Sequence, residues 1–138
     1  MFEHCLYFNT TALARLLEKE WSKAFKPYGL TPSQAFMLRV ILAKPGLLQS
    51  ELAAELAISR STATRTLDGL QKMKLVVRCA TERDGRESAI EPTATAIAMK
   101  GELDAASGEV TKRFKKVLST AHFDQTVASV RAVRSAIE

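Results

Sequence analysis

Basic side chains are concentrated in one stretch of the chain, and they are its clearest chemical feature. Residues 60–86 hold seven Lys/Arg against three Asp/Glu, whereas residues 31–59 and 87–138 are balanced in charge. The seven are Arg60, Arg65, Lys72, Lys74, Arg78, Arg83 and Arg86. A local cationic patch on an otherwise balanced chain is typical of a surface that binds a polyanion such as nucleic acid. Composition alone leaves one alternative, a basic face that is only solvated.

The cysteines and histidines offer little other chemistry. Cys5 and Cys79 are too few for a disulfide scaffold, and with His4 and His122 they are a poor supply of metal ligands. We therefore expect a reduced intracellular protein with no metal and no cofactor. The sequence has no Gly-rich phosphate loop and no nucleophile–base motif, which argues against an enzyme. A thiol peroxidase that uses Cys5 is the enzymatic alternative.

The length of 138 residues, of which 46% are apolar, suits one packed domain over residues 1–138 and is short for two. No apolar run reaches the roughly 18 residues that span a bilayer, and Met1–His4 lacks the basic start of an export leader. We expect a cytoplasmic protein that does not bind a membrane.

Helical periodicity and capping signals predict four helices up to the middle of the basic stretch. Apolar residues at helical spacing predict helix 1 over Thr11–Phe25. Thr31–Gln34 has the pattern of a capping box and starts a second helix, which runs to about Leu42. Leu48–Ala57 predicts a short third helix and Arg60–Met73 a fourth. Two short helices joined so closely are a helix-turn-helix candidate.

The fourth helix is expected to have one packed and one exposed face. Ser59, directly before it, predicts an N-cap. An advance of about 100° per residue separates the side chains into two groups. The expected inward group is Ala63, Thr66, Leu67, Leu70 and Met73, and the expected outward group is Ser61, Arg65, Asp68 and Lys72. The outward face can therefore meet solvent or DNA.

The residues after the fourth helix predict a hairpin and two further helices. Leu75–Thr81 is rich in β-branched residues, Glu82–Arg86 is a polar turn with glycine, and Glu87–Glu91 can return as the partner strand. Thr93–Leu118 is compatible with a helix, and the apolar residues of Phe123–Ile137 keep helical spacing again. The hairpin would thus carry arginines at its tip.

Four segments match, in order, the pattern of one known protein family. They are Leu30–Gln34 at the start of the second helix, Pro45–Ala53 at the third, Ser59–Arg65 on the fourth and Asp84–Arg86 at the hairpin tip. Their joint order is much more specific than any one of them. Over roughly residues 28–100 the chain resembles the winged-helix MarR family of bacterial transcription regulators.

Four positions depart from the family pattern. Lys74 stands where a glycine usually precedes the wing, and Leu48 stands where a small hydroxyl residue would cap the third helix. Pro92 and Ala96 replace leucine and glycine around Thr93. These departures concern local geometry.

The resemblance implies a fold and an assembly. The fold is mainly α with a small β wing: a winged helix-turn-helix lobe over residues 28–100, flanked by dimerisation helices in residues 1–27 and 101–138. The apolar stripes of the first and last helices would form the dimer interface, although packing within one monomer is the alternative. A twofold dimer pairs with two half-sites of a pseudo-palindromic operator about one helical turn apart.

The resemblance also implies a DNA-binding site. Base edges in the major groove would be read by Ser61, Thr62, Thr64 and Arg65 of the fourth helix. Arg65 can donate twice to guanine O6 and N7. Phosphate contacts are expected from Gln49, Ser50, Arg60, Lys72 and Lys74. Asp84 would hold Arg86 in an ion pair, and Arg86 or Arg83 would enter the minor groove. The alternative for Arg65 and Arg83 is a solvated arginine without a task.

Members of the family respond to small, often phenolic, anions or to oxidants. The run Cys5–Ala14 is similar in spacing to the segment that bears the reactive cysteine in the branch that senses organic hydroperoxides. That branch has tyrosines at the start of the second helix, where this chain has Pro32–Ala35, and Tyr7 and Tyr28 are the only substitutes. Cys5 is therefore either a redox sensor or an inert, partly buried thiol.

These features together predict a sequence-specific regulator of transcription that binds double-stranded DNA. The resemblance implies a homodimeric repressor that is released by a small ligand or by oxidation. The alternative is a winged-helix module for protein interaction that does not bind DNA.

Overall fold

The computed structural model describes residues 1–82 and 85–138. Within them the chain forms helices, a short 3₁₀ turn at Lys26–Tyr28 and a small antiparallel sheet. The elements are α1 (Leu6–Phe25), α2 (Pro32–Ala43), β1 (Leu47–Leu48), α3 (Gln49–Glu55), α4 (Arg60–Lys72), β2 (Val76–Ala80), β3 (Ser88–Pro92), α5 (Ala94–Leu118) and α6 (Thr120–Ile137). The prediction of a mainly α fold with a small β wing is confirmed.

Local capping signals set the starts of the helices, as predicted. The Thr31 hydroxyl accepts from the backbone N–H of Gln34 at 3.2 Å, and the Gln34 side chain accepts from the N–H of Thr31 at 3.0 Å. Ser59 Oγ likewise accepts from the N–H of Thr62 at 3.2 Å at the start of α4. Each bond satisfies an amide that a helix start leaves without a partner.

The core lies between α2, α4, the sheet and α5. It contains the following fully buried large side chains: Phe25, Met37, Leu38, Ile41, Leu52, Leu67, Leu70, Val76, Ile90 and Leu103. Full burial of such a side chain contributes roughly 1.5–3 kcal/mol, so this cluster supplies the main driving force for folding. It also fixes α4 from behind and leaves the opposite face of that helix free.

The sheet joins the wing to the start of α3. Its strand order is β1-β3-β2 with antiparallel pairing throughout. Leu47 and Leu48 of β1 pair with Ile90 and Ala89 of β3. Strand β1 was not predicted, because two residues are too short to show an alternating pattern.

Helix α1 begins at Leu6, so the prediction of a start at Thr11 is wrong. Cys5 is the N-cap residue, and its Sγ accepts from the N–H of Phe8 at 3.5 Å. The side chains of the first turn are exposed. Because no packing against the core marks this turn, hydrophobic periodicity did not reveal it.

Helix α5 is continuous through Gly101 and Gly108, although glycine is a poor helix former. It packs on α1, where Trp21 Nε1 donates to Ser107 Oγ at 3.0 Å. It also packs on α2, where Arg39 Nε donates to Asp104 Oδ1 at 2.9 Å. These contacts connect α1 and α2 to the long helix α5.

Helices α1 and α6, near the two ends of the chain, carry apolar side chains that are exposed to solvent. The exposed ones are Leu6, Tyr7, Phe8, Leu13 and Leu16 on α1, and Val127, Val130, Val133 and Ile137 on α6. In the part of the chain that the structure describes, no helix combines the length and the apolar character needed to cross a bilayer.

Candidate nucleic-acid interface

Helix α4 presents a polar face whose position is fixed from behind. Ala63, Leu67 and Leu70 are completely buried, whereas Arg65 and Lys72 are exposed. Within residues 1–82 and 85–138, neither cation has an ion-pair or hydrogen-bond partner. Two basic side chains on one rigid helix face are therefore available to an external anion.

Gly69 of α4 faces the side chain of Gln34, the residue of the α2 capping box. A Cβ atom at this position would lie 3.0 Å from Gln34 Nε2, which is a tight contact. A larger residue at position 69 would therefore require the end of the Gln34 side chain to shift by a few tenths of an ångström.

Thr62 of α4 and Met73, directly after the helix, are not oriented as predicted. Thr62 was expected to point towards base edges, but it is half-buried, and together with Thr66 it lines a cavity behind the helix. Thr62 lies about 100° from Ala63 on the helix, which places it at the edge of the packed face. Met73 was expected inward and is 39% exposed, because α4 ends at Lys72 and Met73 is already the C-cap.

Thr64 and Gln49 are bonded to each other. Gln49 Nε2 donates to Thr64 Oγ1 at 2.7 Å, and that hydroxyl donates to the carbonyl of Arg60 at 3.0 Å. The two residues, one predicted for phosphate and one for base contact, therefore form one bridge between α3 and α4. The Thr64 hydroxyl has one acceptor position left for another group.

Arg78, although part of the basic stretch, is already engaged by other side chains of the protein. From β2 it donates to Asp68 Oδ1 of α4 at 2.6 Å and to the side-chain oxygen of Gln71. Its guanidinium connects the wing strand to the outward face of α4. Spacing on a single helix could not reveal this contact, because the partners lie on different elements.

Ser50, expected to contact phosphate, is engaged by a residue that the sequence analysis did not select. Both its N–H and its hydroxyl donate to the Glu87 carboxylate, each at 2.9 Å. Arg60 Nη2 lies 3.9 Å from Glu87 Oε1. Only the structure could reveal Glu87, which lies 37 residues from Ser50 in the chain.

Of the predicted contact residues in and next to the wing, the structure describes Lys74 and Arg86. Lys74 has a φ of 61°, the left-handed conformation that a glycine would adopt without strain, and its carbonyl accepts from Thr93 Oγ1 at 2.9 Å. Arg86 is exposed. Arg83 and Asp84 lie outside the described residues, so the expected pair of Asp84 with Arg86 stays a prediction.

Cys5 and Cys79 are both free thiols. The expectation that an inert Cys5 would be partly buried is wrong, since Cys5 is exposed ahead of α1. Cys79 is half-buried on β2. Among the described ranges 1–82 and 85–138, no group of three or more His, Cys, Asp or Glu side chains could hold a metal ion.

A cavity of about 490 Å³ lies behind α4, between α1 and α2. Its lining is mostly apolar and aromatic and includes Trp21, the single tryptophan of the chain. The lining residues are Ala14, Leu17, Glu18, Trp21, Pro32, Ser33, Phe36, Leu56, Ile58, Thr62 and Thr66. Its volume falls in the range of small-molecule sites, and its wall includes Thr62 and Thr66 of the helix that carries Arg65.

Comparison with known proteins places this architecture in a family. A family model described as "MarR family" matches residues 28–87, from the end of the 3₁₀ turn to the base of the wing. Over these residues the chain matches the MarR family. A relative from Thauera aromatica, described as a transcriptional regulatory protein for the hcr operon, is 30% identical over 93 residues. The alignment covers 67% of this chain, and the chain spans only 56% of that relative's length.

Solved structures share the complete fold. The S. aureus MepR–DNA complex superimposes with a TM-score of 0.88 at 20% identity, covering 99% of this chain and 100% of that one. The M. tuberculosis transcriptional regulator MosR gives a TM-score of 0.81 at 26% identity, covering 99% of both chains. The likeness therefore includes the helices at both chain ends as well as the winged helix-turn-helix of the MarR family.

Proposed function

We propose that this chain is a transcriptional regulator that binds double-stranded DNA, with α4 in the major groove and the β2–β3 wing along the neighbouring backbone. One observation carries the proposal: Arg65 and Lys72 extend from the exposed face of α4 without partners among the described residues. The opposite face is held in the core by Ala63, Leu67 and Leu70, which are completely buried. Arg65 would read a base, and Lys72 would contact phosphate. MepR, which shares the fold, is described in complex with DNA.

The other residues of the predicted DNA-binding set are assigned roles according to their contacts in the structure. Ser61 and Thr64 would lie near base edges, Thr64 through the oxygen that Gln49 already approaches. Arg60 and Lys74 would contact phosphate. Arg86 or Arg83 would enter the minor groove, with Asp84 holding Arg86 in an ion pair. Thr62 is left out of this set because it faces the cavity.

The regulator would act as a homodimer. The exposed apolar side chains of α1 and α6 form larger apolar surfaces than a soluble monomer usually exposes. Packing against a second copy of the chain would bury these side chains away from water. The domain division follows: residues 28–100 form the DNA-binding lobe, and residues 1–27 and 101–138 form the dimer interface. Such a regulator works where the chromosome is, in the cytoplasm.

A small molecule in the cavity behind α4 would act as effector and release a repressor from its operator. The lining has one charged side chain, the carboxylate of Glu18, and no Lys or Arg among the described residues. A neutral phenol therefore fits the cavity better than an anion. Trp21 in the wall makes a fluorescence titration with simple phenols the direct test.

Oxidation is a second route to release, favoured by the exposure of Cys5. The Cys5 sulfur would attack the terminal oxygen of an organic hydroperoxide, break its O–O bond, form a sulfenic acid and release the corresponding alcohol. If this is the switch, peroxide lowers the DNA affinity of the wild-type protein and leaves Cys5→Ser unchanged. Equal loss in both proteins would exclude Cys5 as the sensor.

A salt titration tests DNA binding itself. Affinity is measured for a duplex that flanks the protein's own coding region and for a scrambled duplex of the same length. If several phosphates are contacted, the logarithm of the affinity falls linearly with the logarithm of the salt concentration. The slope of this line is about −0.9 for each phosphate contacted. No binding to any duplex at low salt would instead favour the protein-interaction module.

A further inference from the structure

Helix α3 begins without a cap from its own N-cap residue. Leu48 occupies that position, and an aliphatic side chain has no atom that can accept a hydrogen bond. The Glu51 carboxylate accepts from the N–H of Leu48 at 2.9 Å, which satisfies that amide only. The amide of Ser50, in the first turn, needs an acceptor from elsewhere.

Glu87, from the base of the wing, supplies this acceptor. One carboxylate oxygen accepts from the N–H of Ser50 and the other from its hydroxyl, each at 2.9 Å. The Glu87 side chain is 21% exposed, so water competes weakly for these bonds. Hydrogen bonds to an ionised carboxylate are roughly twice as strong as neutral ones.

The same carboxylate also reaches the first residue of α4. Arg60 Nη2 lies 3.9 Å from Glu87 Oε1. Glu87 directly precedes β3, which pairs with β1 immediately before α3. One side chain therefore joins the wing, the start of α3 and the start of α4, the three elements that the proposed DNA interface requires in register.

We propose that Glu87 is a positioning residue of the DNA interface, and that it acts by holding Ser50 of α3 against the wing. The inference rests on the proposed DNA binding. Ser50 then contributes to affinity through Glu87 and not through a phosphate, since both of its donors are already used.

The test compares Glu87→Gln with Glu87→Ala. Glutamine keeps both contacts, because its oxygen can accept from the Ser50 N–H and its amide can donate to the Ser50 hydroxyl. Alanine removes both. We expect Glu87→Ala to lose about tenfold in affinity for the specific duplex and Glu87→Gln to stay within about threefold of wild type. Circular dichroism checks that both variants are folded.

Ser50→Ala provides a second variant, which removes the hydroxyl contact and leaves Glu87 in place. If Glu87 acts through Ser50, the double variant loses little more than Glu87→Ala alone, because the two changes remove one interaction. Additive losses would contradict the inference. So would a Glu87→Ala variant that binds as tightly as wild type or more tightly, and so would a Glu87→Gln variant as weak as Glu87→Ala.

Exchange of the Ser50 amide hydrogen, measured without DNA, separates this inference from the proposed function. It should accelerate at least tenfold in Glu87→Ala and stay near the wild-type rate in Glu87→Gln. Unchanged exchange in Glu87→Ala overturns the inference, whatever the DNA result. Failure of the wild-type protein to bind any duplex overturns the proposed function, and with it a role of Glu87 in DNA binding.

Discussion

The guanidinium of Arg78 on β2 donates to the carboxylate of Asp68 on α4 across 2.6 Å. Asp68 is on the outward face of α4, so this ion pair lies beside the proposed DNA surface. It neutralises one positive and one negative charge of the basic stretch at once. Arg78 therefore supports the geometry of the wing, whereas Lys72, on the same outward face of α4, stays available.

Arg78→Ala should consequently affect the stability of the fold, and Lys72→Ala should affect the salt dependence of DNA binding. Arg78→Ala loses a partly exposed ion pair, and we expect the free energy of unfolding to fall by about 0.5–1 kcal/mol with no change in the salt slope of DNA binding. Lys72→Ala should leave stability nearly unchanged and reduce the slope by about one. Urea unfolding and salt titrations of both variants measure this, and a reduced slope in Arg78→Ala would argue that it contacts phosphate.

Lys74 combines backbone strain with a predicted phosphate contact, and two substitutions separate them. Its φ of 61° costs a non-glycine residue about 1 kcal/mol. Lys74→Gly should therefore raise stability by about that amount, while Lys74→Ala should not. Both should bind DNA more weakly, to the same extent, since both lack the charge. Equal unfolding free energies for the two variants would show that the strain is absent.

The exposed apolar face of α6 should be buried in the dimer. Val130 is 53% exposed in the single chain. An unpaired carboxylate at an apolar interface is costly, so Val130→Asp should raise the dimer dissociation constant by about 100-fold or more. Ala132→Asp, on the opposite side of the helix, is the matched control. Sedimentation at micromolar concentration should show monomers for the first variant only; dimers for both would place the interface elsewhere.

Asp104 should make stability depend on acid pH. The Arg39 hydrogen bond, helped by Lys100, lowers the pKa of this carboxyl below its ordinary value of 3.8. The pair contributes stability that is complete above the unfolded pKa and is lost as pH falls through the lower folded pKa. Because Asp104 is 41% exposed, we expect less than about 1 kcal/mol.

This contribution is measured as the difference in the free energy of unfolding between wild type and Asp104→Asn. The measurement covers the range from neutral pH to pH values below the ordinary aspartate pKa. The wild type should be more stable at neutral pH, and the two curves should converge as Asp104 becomes protonated. A difference that stays constant with pH would mean that the charge of Asp104 does not contribute.

The sequence predicted those features that depend on neighbouring residues. The hydroxyl caps of Thr31 and Ser59, and the burial of Ala63, Leu67 and Leu70, follow from spacing within one helix. These features required no knowledge of how the elements pack. Lys74 was noted only as a departure from a family position where glycine is usual, and its left-handed backbone is a finding of the structure.

The features that were missed depend on contacts between distant elements. Glu87 and Ser50 approach only because β3 pairs with β1, and Arg78 meets Asp68 only because β2 packs beside α4. Thr62 sits at the edge of the packed face, where helical spacing does not decide between cavity and solvent. The α1 start at Leu6 lacked a packing signal because its side chains are not covered within one chain.

Base reading by Arg65 is the central claim, and its most direct measurement is the affinity of wild type and Arg65→Ala for an operator duplex changed one base pair at a time. We predict a loss of about 1–3 kcal/mol on the native operator and relaxed preference at one position per half-site, with discrimination at the other positions intact. An equal loss on every duplex, including a scrambled one, would contradict base reading and reduce Arg65 to a phosphate contact.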